Sequence, residues 1–296
     1  MSDVDLSAEQ YEQYREAGEI LETVLAEAAD RVEVGASHLE VAEFAEDRIE
    51  ELGGAPAFPV NISIDEEASH ATPARDDESV FGEEMVCLDI GVHVDGWIAD
   101  AATTVDLSGN PEMVEAAEDA LAAAIDAVEP GVHTGEIGAE IEAAIDSYDL
   151  NPVVNLTGHG LAQWDAHTGP NVPNRGLDTG VELQVGDVVA IEPFVTDGSG
   201  KVGEGSKTEI YSLVSEGRVR NRQARQVMET VAEAYRELPF AARWLDDARA
   251  EMSLRRLTMN DVLRSYPVLK EQDGALVSQA EHTIIVTEDG AEVTTG

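Results

Sequence analysis

Residues 7–32 place Tyr11, Tyr14, Ala17, Ile20, Leu21, Val24, Leu25 and Ala28 three or four positions apart, with Glu and Arg between them. That is the spacing of a helix with one apolar face. A second helix is expected from Ser37, where S-H-L-E sets up a capping box with Glu40, to Leu52, before the stop signal Gly53-Gly54. Others are expected after Pro111 and over 134–148. Apolar, β-branched runs predict strands at 85–94, 97–105, 153–157, 188–195 and 281–287. Helices and hairpins alternate, so the predicted class is α+β.

The pattern repeats in order. VEVGASHLEV (32–41) is matched by VEPGVHTGEI (128–137), PVNIS (59–63) by PVVNLT (152–157), and EMVCLDI (84–90) by DVVAIEP (187–193). The second match is followed by His70 in one half and His159 in the other, and the third sets Asp89 against Glu192. Two related halves packed about a shared centre are expected. After Tyr211 the character changes, and 215–238, 239–252 and 258–265 read as three consecutive helices. Residues 212–268 are therefore expected to be a helical insertion subdomain, with 1–211 and 269–296 forming the main domain.

Composition narrows the possibilities. The 296 residues include 61 Asp or Glu against 18 Lys or Arg, a net charge of −43, which argues against DNA or RNA as a partner because phosphate binding needs clustered cations. Lys supplies only three of the basic residues (Lys201, Lys207 and Lys270). Such a chain repels itself at low ionic strength, whereas a Debye length of about 3 Å at 1 M salt screens it, so a halophile's cytoplasm is the expected setting. No run approaches the roughly 20 apolar residues that span a bilayer, and MSDVDLSAEQ has neither the basic nor the apolar region of a leader. The single cysteine, Cys87, excludes an intrachain disulfide and a cysteine-rich zinc site; a small buried core residue is its expected role.

Most of so many carboxylates must be solvated surface. Four stand out by lying in apolar strands that carry no Lys or Arg: Asp89, Asp100, Glu192 and Glu281. Burial of an unpaired carboxylate costs several kcal/mol unless it is protonated or finds a cation. With Asp95-Gly96 as a two-residue hairpin turn, Val94 faces Trp97, Asp89 faces Ala102 and Asp100 faces Gly91. Asp89 and Asp100 become diagonal neighbours on one face, roughly 7–8 Å apart between Cα atoms. Either they clasp one or two metal ions, or one of them is buried and the other turns to solvent. His159 in LTGHGL, His167 in WDAHTGP and His70 in ASHATP fall in expected turns near these strands, as turn residues or as ligands.

Other motifs carry less. Gly198, Gly200 and Gly203 satisfy G-x-G-x-x-G, but no apolar helix follows, and a flexible loop is expected. The sequons at Asn61 and Asn155 are idle inside a cell. Arg218, Arg220, Arg222 and Arg225 could touch RNA, though a solvated face paired with neighbouring acids fits better.

The segments PAFPVNISIDEEASHATP, CLDIGVHVDGWIADAATTV, NLTGHGLAQWDAHTG, AIEPF, LPFAARWL, YPVLKE and QAEHTIIV, in this order, resemble the type 2 methionine aminopeptidases, especially archaeal ones. The resemblance implies the pita-bread (creatinase/aminopeptidase) fold, with two pseudosymmetric halves and a helical insertion in the second. It implies two divalent metal ions (Co, Mn, Fe or Zn), with Asp89 on one, His159 and Glu192 on the other, and Asp100 and Glu281 bridging both. It further implies removal of the N-terminal methionine from nascent proteins whose second residue is small, by attack of a metal-bridging hydroxide, with Glu192 as proton shuttle. His70 and His167 would contact substrate and steady the oxyanion, while Phe58 and Tyr266 would line the methionine pocket. Ala166 departs from the bulkier aliphatic residue common before the second histidine. The absence of a spanning run and of a leader predicts a cytoplasmic protein, and the resemblance implies a monomeric, ribosome-proximal enzyme.

Prolidase and aminopeptidase P share the fold and a similar ligand set, but they normally carry a long N-terminal domain, and only 88 residues precede Asp89. A ligand-deficient homologue acting as a binding protein is disfavoured by the presence of all five ligands. An acidic scaffold whose repeat is accidental is the third alternative.

Overall fold

The computed structural model describes residues 6–245 and 250–296. The first helix, Ala8–Ala29, starts at Ser7, whose hydroxyl accepts from the Gln10 amide while the Gln10 side chain reaches back to Ser7. The second, His38–Glu51, is capped by Ser37 through the Glu40 amide and ends before Gly53, which takes a φ of 97° that suits glycine. Both bury their apolar stripes against the sheet built on the hairpin of Met85–Val94 and Trp97–Asp106, around Leu21, Val24, Ile49, Leu88 and Ile90. Helices Pro111–Asp126 and Thr134–Asp146 cover the second half's sheet in the same way, around Leu121, Ile137, Ile141, Val189 and Ile284. No helix among the described residues is long and apolar enough to cross a membrane.

The two halves match where the repeat places them. Ser37 and His133 both stand at helix starts, and each makes an isolated antiparallel bridge, to Val80 and Glu182 respectively. The hairpin register is the expected one: Asp89 faces Ala102, Asp100 faces Gly91, and the turn residues Asp95 and Gly96 take φ of 50° and 88°. The second half's sheet runs Gly290–Val293, His282–Thr287, Val188–Ile191, Thr157–Ala162, Asp165–Pro173. A bridge between Ala102 and Glu281, with N–H···O distances of 3.0 and 3.3 Å, joins it to the first sheet. Tyr14, Phe58, Ile98, Leu161 and Ile285 pack across that junction.

Several expectations fail for identifiable reasons. Residues 153–156 are not strand, and pairing begins at Thr157. Gly158 and Gly160 sit inside that strand because any Cβ would lie 2.4 Å from the Ala190 carbonyl oxygen and 2.3 Å from that of Gly169. The expected strand 188–195 breaks into Val188–Ile191 and Phe194–Thr196, since Pro193 has no N–H for the ladder. His70 and His159 are not equivalent. His70 lies just past strand Glu67–Ser69, which pairs with Leu269–Lys270, whereas His159 and His167 lie on the first and second strands of one hairpin, Thr157–Ala162 and Asp165–Pro173. The Gly-rich stretch is only partly loop, because Gly203–Glu204 pairs with Leu269–Lys270.

Where three helices are expected after Tyr211, two α-helices are observed among the described residues, Arg222–Ala234 and Ala250–Thr258. The expected middle helix begins instead as strand Phe240–Ala241 and a 3₁₀ turn, Ala242–Trp244, and its residues 246–249 lie outside the described residues. The expected third helix is strand Leu263–Tyr266, which pairs with Ile210–Leu213. These elements gather around a core of their own, including Val231, Phe240, Leu254 and Leu257.

The first helix abuts the segment just past strand Gly290–Val293 so closely that a Cβ on Gly18 would lie 1.9 Å from the Thr294 carbonyl oxygen. Gly18→Ala is therefore expected to lower the melting temperature, although the same change in an exposed helix stabilises by about 1 kcal/mol. An unchanged or raised midpoint would show that the Thr294 segment yields.

Candidate metal centre

Asp100 is positioned by its own backbone. The Thr283 hydroxyl accepts from the Asp100 N–H and donates to the Asp100 carbonyl, both at 2.8 Å, so a strand of the second half fixes a carboxylate of the first. Glu281, two residues earlier, exchanges backbone hydrogen bonds with Ala102 and is held at its side chain by Gln279 Nε2, 2.9 Å from Oε2. Because residues two apart share a strand face, Ala102 and Asp100 bring Glu281 to the face on which Asp89 lies. Glu192 leaves the ladder at the Ile191–Pro193 break, and His159, paired with Ala190 on the neighbouring strand, meets it there.

The five side chains line one cavity of about 370 Å³. His159 Nε2 lies 3.8 Å from Asp100 Oδ2 and 3.6 Å from Glu192 Oε1. Ligand atoms of Asp100, His159 and Glu281 all lie within 4.8 Å of one another. Burial and mutual repulsion both disfavour the charged carboxylates. Burial pushes Asp89 up to about 7, partly offset by its hydrogen bond with Asp100. Asp100, Glu192 and Glu281 are raised well above the usual carboxylate range, by burial first and then by the acids beside them. Burial likewise lowers His159 to about 3, aided by nearby His167, so its ring is neutral. His159 Nδ1 lies 3.4 Å from the Gly160 carbonyl, which can only accept, and Nε2 is left with a lone pair toward the acids.

A divalent cation fits this donor set. Asp89 Oδ1 and Asp100 Oδ1 are buried without a hydrogen-bond partner, and among the described residues no Lys or Arg pairs with any of the four acids. Oxygen donors with one neutral imidazole suit Mn, Fe, Co or Zn alike.

The remaining expected residues surround the five. His70, with φ of 62°, places Nδ1 3.3 Å from the Pro267 carbonyl and packs edge-on to Tyr266 at 5.4 Å between centroids. Burial lowers it to about 4, with His167 contributing. His167, on the open side, has its ring 4.4 Å from that of His159 and is also lowered, by desolvation and the Arg264 charge. Phe58 lies over Gly91, where a Cβ would come within 2.2 Å of its ring. The Tyr266 hydroxyl is 3.0 Å from that of Ser212. Ala166 belongs to the core behind Phe58 rather than to the cavity wall. Cys87 is buried, its thiol raised to about 11 chiefly by burial, and is packed core. Of the Arg run, Arg225 reaches Glu229 at 4.0 Å.

Sequence reasoning missed Asn61, Arg264, Gln279 and Thr283. Asn61 is opposite Asp89 in register and leaves Oδ1 unpartnered in the cavity wall. Parity could have found Gln279 and Thr283, which flank Glu281 at two-residue spacing. Nothing local marks Asn61 or Arg264.

Comparison with known proteins gives the same fold. Residues 12–288 match the family model for metallopeptidase family M24. A methionine aminopeptidase of Archaeoglobus fulgidus is 52% identical over 281 residues, 95% of this chain and 96% of that protein. One of Methanocaldococcus jannaschii is 45% identical over 98% of this chain and 100% of that protein. Among solved structures, that of a thermophilic Arx1 has a TM-score of 0.86 at 20% identity, over 98% of this chain and 92% of that one. A Thermotoga maritima methionine aminopeptidase has 0.73 at 23%, over 98% of each. The prolidase of Pyrococcus furiosus has 0.64 at 18%, over 99% of this chain but 66% of that one.

The raised carboxyls give a signed pH dependence. Asp89 holds a proton in the folded metal-free chain that it releases in the unfolded one between its ordinary value of 3.8 and about 7, so its contribution to stability falls as pH rises through that window. The contributions of Asp100, Glu192 and Glu281 fall in the same direction, against the opposite contribution of the lowered His70 and His159 below 6.5. In molar salt, metal-free protein is expected to melt higher at about pH 5 than at about pH 8. The Asp89→Asn, Asp100→Asn double variant should show a flatter profile. Parallel profiles for the two proteins would mean that these acids do not contribute.

Proposed function

The chain belongs to metallopeptidase family M24, and on that premise we propose that it removes the N-terminal methionine from nascent proteins whose second residue is small, as a type 2 enzyme of a halophilic cytoplasm. The observation that carries this reading is the convergence of two buried carboxylates, Asp100 and Glu281, two half-buried ones, Asp89 and Glu192, and a neutral imidazole, with orphaned oxygens, beside an apolar pocket. Asp89, Asp100, His159, Glu192 and Glu281 would hold two divalent ions, Asp100 and Glu281 serving both. When bound, the ions polarise a peptide carbonyl and make water acidic enough to attack it near neutral pH.

The chain's own groups do the rest. Phe58 and Tyr266, with Ile210 and Leu269, form the apolar wall that takes the methionine side chain. With Nδ1–H committed to Pro267, neutral His70 presents an acceptor at Nε2, suited to a substrate backbone N–H rather than to an oxyanion. That narrows the oxyanion role expected for both histidines to His167, whose ring has no hydrogen-bond partner among the described residues and is placed to donate to the carbonyl oxygen. Glu192, raised by burial and its neighbours, is suited to take a proton and return it to the leaving amine.

Residues 212–268 are read as an insertion into the second half, supported by the pairing of Ile210–Leu213 with Leu263–Tyr266, which closes the segment at its base and brings Tyr266 to the pocket. The cytoplasmic, monomeric and ribosome-proximal setting belongs to the same reading.

With added divalent ion in molar salt, Met-Ala-Ser should be hydrolysed and Xaa-Pro peptides should not; cleavage of Xaa-Pro alone would replace this reading with a prolidase type. Glu192→Gln is expected to lower kcat by about 100-fold or more. Retention of wild-type kcat would remove Glu192 from the proton path.

A further inference from the structure

One group in the cavity wall has no part in holding a cation. Arg264 is the only Lys or Arg among the described residues lining the cavity. It is exposed, and among those residues it makes no ion pair or side-chain hydrogen bond. Arg15, Arg48, Arg243 and Lys270 are paired with Glu292, Glu27, Glu46 and Glu66, whereas other exposed cations such as Arg175 and Arg255 make no ion pair among the described residues; what sets Arg264 apart is its place in the cavity wall. Arg264 also does not neutralise the four acids, since none of their shifts has it as a cause. It faces His167 instead.

Strand geometry fixes its place relative to substrate. Arg264 and Tyr266 lie two apart on strand Leu263–Tyr266 and project to the same side. Tyr266 packs on His70 at the apolar end, while Arg264 stands at the exposed end. A peptide whose first side chain fills the apolar end must leave through the open end, past the guanidinium. We propose that Arg264 is a specificity residue that binds a substrate carboxylate on the C-terminal side of the cleaved bond. The inference rests on the aminopeptidase reading above. Guanidinium and carboxylate meet through paired N–H···O bonds, and a contact pair in a cavity survives molar salt better than separated surface charges.

The test compares kcat/KM within each enzyme at fixed molar KCl. Met-Ser-Asp-Val-amide is set against Met-Ser-Asn-Val-amide, Met-Ser-Val-Asp-amide against Met-Ser-Val-Asn-amide, and the free acid of Met-Ser-Val against its amide. The arms separate an acidic side chain at the third or fourth residue from a terminal carboxylate. At least one acid should be preferred by about fivefold, carried mainly by KM, the scale of one accessible charge-assisted contact. Arg264→Gln should bring that ratio near one, and Arg264→Glu should reverse it in favour of Lys at the same position. No preference in any arm of the wild type, or a preference that persists in Arg264→Gln, overturns the proposal. Failure of the wild type to cleave any Met peptide would instead overturn the aminopeptidase reading.

Discussion

Four carboxylates share one cavity, and among the described residues no Lys or Arg pairs with them; much of the architecture serves to keep them there. Left to themselves they would separate or protonate, because burial and mutual repulsion both oppose their ionisation. The backbone prevents separation. Asp100 is fastened to Thr283 through both its N–H and its carbonyl, and Glu281 is zipped to Ala102. The two halves are joined beside two of the acids, Asp100 and Glu281, which disfavour each other's ionisation. A centre assembled this way holds a donor set whose charge has to be balanced from outside the chain.

Packing extends the constraint outward. Thr283 accepts backbone and hydroxyl donation from Thr294 at its carbonyl, and Thr294 is the residue against which Gly18 of the first helix is pressed. A path of direct contacts thus runs from an outer helix to an acid of the centre. On the opposite side, Arg243 is paired with Glu46 and donates to Thr72 and to the Pro73 carbonyl, tying the late elements to the segment that carries His70.

Legibility in the sequence followed the range of the interaction. The hairpin could be laid out residue by residue, because a two-residue Asp-Gly turn fixes register and parity then fixes which acids share a face. The starts of the first two helices are set as locally, Ser7 and Ser37 each accepting from the amide three residues on, whereas Pro111–Asp126 and Thr134–Asp146 start without a side-chain cap. The strand around His159 was not, since glycine there answers to carbonyls of distant segments rather than to a turn. The late helices were overcounted for a related reason: Leu263–Tyr266 is strand only because Ile210–Leu213 lies beside it. The acids could be picked from sequence by their apolar surroundings, whereas Asn61 and Arg264 acquire meaning only from the cavity they face.

The most direct test of the central claim is the metal content of the folded protein, measured by elemental analysis after dialysis against a divalent ion in molar salt, for wild type and for Glu281→Gln. Two ions per wild-type chain, with a reduced number in the variant at unchanged circular dichroism, is the outcome this account requires. A folded wild-type chain that retains none, or a variant that retains as many as the wild type, would contradict it.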